Sequence, residues 1–226
     1  MSKIDAPEMK SFTKNWHDGP YEAISCSHPE LSMVGKNILI TGGGTGIGKA
    51  TAIALQSSKT DVIEAATRDR KVLYEIADIA IPAQANKAFA NIAEQVGKID
   101  ILIDNAGVIC PPDAIADAPF SHINKVIESN ILTTFNATQV FLPYMSSEPI
   151  LINITACLIH IEPMPSMELF AAAEAAQSLV VDYIEVENPQ LHVVHLHPGM
   201  VTTEIGGPDS DVNSIDRGEL PAQVAV

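Results

Sequence analysis

The sequence predicts an α/β fold, a parallel sheet with helices on both faces. Three observations carry the prediction. Short, fully apolar runs alternate with longer amphipathic or Ala-rich stretches, the pattern of buried parallel strands and their crossover helices. The first apolar run ends in a glycine-rich turn that opens a stretch of helical composition. The chain has 226 residues, 46% hydrophobic and 18% charged, enough for one full-sized core and too few for two comfortable ones.

Residues 1–34 mix Pro, His, Trp, Asp and Ser without a sustained period. They are expected to lie as an extension on the surface of a domain spanning 35–226. Asn37-Ile38-Leu39-Ile40-Thr41 is the first strand; it runs into Gly42-Gly43-Gly44-Thr45-Gly46-Ile47-Gly48, and a helix follows from Lys49. Residues 62–66 and 72–79 are the next strand candidates, and 84–96 reads as a helix. Residues 99–103 form a strand and 120–145 a helix. Residues 150–154 form another strand, and 168–187 an Ala-rich helix that Asn188-Pro189 stops. The last strand, 191–196, is closed by Pro198-Gly199. Only a handful of residues separate 62–66 from 72–79, whereas a parallel crossover needs about a dozen. Either the intervening helix is largely gone or 72–79 is not a normal strand.

Charge and composition exclude several classes of function. The formal net charge is −15, and from Val126 onward Arg217 is the only Lys or Arg against 13 acids. A polyanion such as nucleic acid, or an anionic membrane surface, is therefore not the expected partner. No apolar run approaches the roughly 18 residues of a spanning helix, and the first residues lack the apolar core of a secretory signal. Cys26, Cys110 and Cys157 have no metal-like spacing. A reduced, cytoplasmic setting is the simple expectation.

A glycine turn between strand and helix lets a pyrophosphate approach bare backbone amides at a helix N-terminus. The spacing here is Thr-Gly-x-x-x-Gly-x-Gly. With Asp78 in Ala-Asp-Ile, Asp104-Asn105-Ala106-Gly107, Asn130 in Glu-Ser-Asn-Ile-Leu, and Pro198-Gly199-Met200-Val201-Thr202-Thr203, the sequence resembles the short-chain dehydrogenase/reductase family over roughly 35–205. The style of the N-terminal residues around Trp16 and Pro29 looks like fungal members, many of which serve secondary metabolism.

The resemblance implies a Rossmann-like, doubly wound sheet with NAD or NADP across the strand ends. Gly42, Thr45, Gly46, Ile47 and Gly48 would hold the pyrophosphate side. Asp78 and Ile79 would flank the adenine, Asn105, Ala106 and Gly107 the ribose, and Pro198, Gly199, Val201 and Thr203 the nicotinamide end. Arg68, near the end of the second strand candidate, favours NADP, if any dinucleotide is bound; Glu64 stands close to the spacing of an NAD-binding acid. In the family's strand order 3-2-1-4-5-6-7, the short second crossover and the chain end at Val226 trim both sheet edges and leave the central crevice.

The chemistry implied by the family is missing. Its members use a Tyr, a Lys four residues later, a Ser about fourteen residues earlier, and an Asn. The Lys cation lowers the Tyr pKa from about 10 towards neutrality. Here Ala156 stands at the Ser position, Phe170 at the Tyr position and Glu174 at the Lys position. The last Lys of the chain is Lys125, so no register restores the pair. Thr155 offers a hydroxyl, and nothing offers the rest.

Other candidates follow from residue type. His160 lies in the loop that lines the substrate cleft in the family, where an imidazole suits acid–base work; a surface histidine is the plainer alternative. Phe170 and Glu174 are one helical turn apart, so Glu174 is a general-base candidate if it lies in a partly apolar cleft, and a solvated helix acid otherwise. Asn130 either serves what is left of the site or shapes its helix. Of His192, His195 and His197, only two can share a strand face, so no metal is expected. Cys157 reads as a buried thiol.

Three functions stay open. The first is a non-redox enzyme, a cyclase, isomerase or dehydratase, using Glu174 or His160, or shape alone, on a small apolar metabolite in the cleft of Ala156 and Phe170. The second is a catalytically silent NADP-binding or regulatory protein. The third is an NADP-dependent carbonyl oxidoreductase, urged by the resemblance and opposed by the residues. A homodimer through the fourth and fifth helices is consistent with the family.

Overall fold

The computed structural model describes residues 21–24, 33–57, 72–109, 113–199, 201, 203 and 205. Its sheet is four-stranded and parallel in the order β1-β2-β3-β4, formed by Ile38–Ile40, Ile99–Asp104, Met145–Ile154 and His192–Leu196. α1 (Gly46–Ser57) follows β1, and α2 (Pro82–Val96) precedes β2. Between β2 and β3, α3 (Phe120–Val126) passes into a π-helical stretch, Ile127–Leu132, and then α4 (Thr133–Phe141). α5 (Glu168–Glu187) joins β3 to β4.

The alternation along β2 divides the core into two layers. Leu102 packs with Phe89 of α2, Phe141 of α4 and Val181 of α5. Ile101 and Ile103 face the other way, onto Ile152 and the Leu55 side of α1. Ile99 would join Ile101 by simple alternation, yet it belongs to the Leu102 layer. The β2–β3 register shifts between these two residues, and such an irregularity reverses which face a side chain takes. Helices therefore cover both faces, as the apolar strands predict.

The elements match the sequence-based expectations closely from β2 onward. α5 has the expected bounds; β3 starts five residues earlier than expected, at Met145, which pairs with Ile99. One expected element is corrected. Residues 72–78 form no strand, and Tyr74 and Ile76 are 84% and 94% exposed. The run forms no ladder and leaves its large apolar side chains outside the core, so apolar composition alone does not bring it into the sheet. Residues 62–66 lie outside the described residues.

Candidate functional site

The site is built at the C-terminal ends of β1, β2 and β3. Gly42 and Gly46 have φ of +65° and +50°, a region that disfavours residues with a Cβ. The turn also needs bare backbone for packing. A Cβ on Gly48 would lie 2.5 Å from the Gly42 carbonyl oxygen and 2.6 Å from Asn105 Nδ2. A Cβ on Gly46 would lie 3.3 Å from Thr203, which brings the predicted nicotinamide end of the site against the predicted pyrophosphate end. Gly42, Gly44, Thr45 and Gly46 are exposed, and α1 opens at Gly46 with no acid in its first turn. An anion can thus reach the helix N-terminus unopposed by a local carboxylate.

Thr41, which sequence reasoning did not assign, ties the turn to β2. Its hydroxyl donates to Asp104 Oδ1 at 3.0 Å and accepts from the Asn105 and Ala106 amides at 2.9 and 3.0 Å, using the full capacity of the group. Asn105 Nδ2 donates back to the Thr41 carbonyl at 3.0 Å. Gly107 is required by Asn130, whose Oδ1 would lie 2.7 Å from a Cβ there.

Asn130 sits at the centre of the π-helical stretch and is fully buried. Its side chain clamps the chain after β2, accepting from the Val108 amide at 2.8 Å and donating to the Val108 carbonyl at 3.0 Å. Its own carbonyl accepts from Gln177 Nε2 at 3.0 Å and from the Thr133 hydroxyl at 2.7 Å. Gln177 was not anticipated. The signal for it was a polar residue three positions after Glu174 on an otherwise Ala- and Val-rich face. Asn136, also unforeseen, donates to the Ile79 carbonyl at 2.8 Å and so fixes the segment that carries Asp78 and Ile79. Asp78 itself is exposed and accepts from the Ala80 amide at 3.0 Å.

Glu174 is 5% exposed on the buried face of α5. Burial pushes its carboxyl up to about 7. Hydrogen bonds from the Thr155 hydroxyl and the Ala156 amide oppose that rise, and the charge of Asp104 reinforces it. Asp104 is also buried, and loss of hydration raises it above the usual carboxylate range against hydrogen bonds from Thr134 and Thr41. Its Oδ2 has no hydrogen-bond partner, and neither has Gln177 Oε1. Thr155 is further linked to Ser178 on α5 at 3.3 Å. Phe170 and Ala156 are half-buried beside this network.

His160 lies apart in character, exposed behind the short 3-10 turn Cys157–Ile159. Cys157 is half-buried, and burial raises its thiol, so it is not a poised thiolate. His195 does not turn towards a metal. It joins Asn153 Nδ2 at 3.1 Å and Asp182 Oδ1 at 2.9 Å, tying β3, β4 and α5 together. Among the described residues no three His, Cys, Asp or Glu side chains are grouped to hold a metal, and no helix is long and apolar enough to cross a membrane. Pro198 and Gly199 are half-buried, Gly199 with φ of +82°, and Val201 and Thr203 follow. Arg68 lies outside the described residues.

The geometry thus offers an open anion cradle and, beneath it, a closed network of amides, hydroxyls and two carboxyls. Among the described residues, the hydrogen bonds of this network include no Tyr phenol and no Lys ammonium group. A nicotinamide dinucleotide fits the cradle: the glycines leave room for a pyrophosphate, and the helix N-terminus answers its charge.

Comparison with known proteins agrees with this architecture. The model of the short chain dehydrogenase family matches residues 36–213. An uncharacterized oxidoreductase of Schizosaccharomyces pombe is 30% identical over 179 residues, covering 74% of this chain and 72% of the relative. A short chain dehydrogenase of Pseudocercospora fijiensis is 27% identical over 217 residues, covering 87% and 70%. Among solved structures, a short chain dehydrogenase from Burkholderia cenocepacia, in complex with NADP, superposes with a TM-score of 0.73 at 22% identity, covering 85% of this chain and 89% of that one. With its fold, its glycine turn and a family match over most of its length, the chain belongs to the short chain dehydrogenase family.

Proposed function

We propose that this protein holds a dinucleotide, NADP by preference, in the family's cradle and carries out non-redox proton transfer on a small apolar metabolite. Isomerisation, cyclisation and dehydration are the reactions of this class. The observation that carries the reading is Glu174: a buried carboxyl pushed up to about 7, bonded to a hydroxyl at the cleft, where the family places a cation. A group with that pKa is both donor and acceptor at neutral pH, which acid–base catalysis requires.

In the mechanism each residue has one task. Glu174 exchanges a proton with the Thr155 hydroxyl, which presents it to the cleft. The Ala156 amide holds the carboxyl in place, and burial, with the charge of Asp104 behind it, keeps it from full ionisation. Phe170, half-buried one turn before Glu174, supplies an apolar wall and no proton. His160 stands outside this network as a second acid–base group for a substrate that reaches the loop. A bound dinucleotide would supply the reaction with a shaped, partly charged wall, while the positions that match the family's Tyr and Lys carry Phe170 and Glu174.

The test is hydrogen exchange. Small apolar ketones and β-hydroxy ketones are incubated with the protein in D2O, and the products are read by mass. Deuterium uptake or water loss is expected with the wild type, and Glu174→Gln should slow it by about 10²-fold or more. Equal rates in the two proteins would overturn the assignment.

A second reading has its own observation in favour. Gln177 occupies the Asn130 carbonyl and Glu174 is satisfied from within, as in a floor closed for structure rather than chemistry. On that reading the protein binds a dinucleotide and is silent. Its mark would be dinucleotide binding with no exchange in any substrate tried. Pairing of two copies is proposed through α5, where Leu179, Tyr183 and Val186 are 57%, 63% and 78% exposed at helical spacing.

A further inference from the structure

Two carboxyl groups are buried behind the C-terminal ends of the strands, and among the described residues no cation pairs with either. Asp104 ends β2 directly before Asn105, 3% exposed, with Oδ2 unpartnered. Glu174 comes from α5, and the two charges act on one another. The groups facing the pair are Thr41 beyond β1, Thr134 of α4, and Thr155 with the Ala156 amide beyond β3; Asn130 and Gln177 close the π-helix and α5 sides. All are hydroxyls and amides. The ion pairs among the described residues lie elsewhere, at Asp100, Asp113 and Asp182.

A nicotinamide dinucleotide occurs in two forms that differ by one charge on the ring. The oxidised ring is a pyridinium cation and the reduced ring is neutral, while the phosphates are the same in both. Repulsion between the carboxyls and the phosphates therefore cancels when the two forms are compared. The attraction between the carboxyls and the pyridinium remains, and in a buried, poorly screened setting it is substantial. A Lys at position 174 would have acted in the opposite sense.

We infer that the Asp104–Glu174 pair makes the dinucleotide site select the oxidised, pyridinium-bearing form over the reduced one. The inference rests on the reading that the cradle holds a dinucleotide, and concerns which form it holds. Selection follows the charge on the pair. It grows as Glu174 ionises through about 7 and fades when both acids are protonated.

The experiment is calorimetric titration of the full chain with NADP⁺ and with NADPH at pH 5.5, 7 and 8.5, with NAD⁺ and NADH in parallel. At pH 8.5 the oxidised form should bind about tenfold more tightly or better, and the ratio should fall at pH 5.5, where Glu174 is protonated. Glu174→Gln should reduce the ratio at pH 8.5 to within about threefold while both forms still bind, and Asp104→Asn should reduce it in the same direction. Parity or a preference for NADPH at pH 8.5 would overturn the inference while leaving the dinucleotide reading intact. An unchanged ratio in both variants would do the same. Failure of either form to bind at millimolar concentration would overturn the dinucleotide reading, and the selection with it. If one variant does not fold, the other and the wild-type pH series decide.

Discussion

At the scale of the residue, Glu174 ties function to stability through one proton. Its carboxyl is raised in the fold from an ordinary 4.5 to about 7, so the native state binds the proton more tightly than the unfolded chain. The stability this lends is complete below about pH 4.5 and is lost as pH rises through about 7. Over that window the wild type should lose about 3 kcal/mol from this group alone. Urea unfolding of wild type and Glu174→Gln at pH 5 and pH 8 measures it, and the variant should lack most of the slope. Gly48→Ala is expected to cost about 1–3 kcal/mol or to prevent folding, because its Cβ would meet backbone at 2.5 Å; a thermal melt reads it. Ser166 has φ of +64° without being Gly, so Ser166→Gly should stabilise by up to about 1 kcal/mol in the same melt.

At the scale of the element, the π-helical stretch is the joint on which the site turns. One extra residue per turn leaves carbonyls out of the helical ladder. Here the Asn130 carbonyl is taken by Gln177 and Thr133, while the Asn130 side chain holds both backbone groups of Val108. Asn130→Ala should strand that pair of part-buried backbone groups and cost about 1–3 kcal/mol, measured by denaturant unfolding. Much of this layer was legible in the sequence. α5 was readable to the residue because Asn188-Pro189 stops it and its Ala-rich face is continuous. The glycine turn was readable because positive φ and close packing leave only Gly at Gly42, Gly46 and Gly48. The run at 72–79 misled because apolar composition specifies a preference for burial and not a partner. Gln177, Thr41 and the depth of Asp104 were not legible. Each depends on which polar group another chain segment brings opposite it, and that is a property of the fold.

At the scale of the whole molecule, the parallel sheet with helices on both faces is the scaffold of the family, and on the proposed reading Ala156, Phe170 and Glu174 stand where its carbonyl-reducing groups would be. The exposed stripe on α5 predicts self-association. Sedimentation should show a dimer for the wild type, and Tyr183→Glu together with Leu179→Glu should leave a monomer with unchanged helix content. On this reading the cradle survives without hydride transfer, and NADPH consumption at saturating cofactor with a panel of small apolar aldehydes and ketones tests it most directly. The prediction is no loss of 340 nm absorbance above the rate without protein. Steady, protein-dependent oxidation of NADPH that disappears in Gly46→Val would contradict it, and would mean that the proton held by Glu174 and Thr155 serves hydride transfer after all.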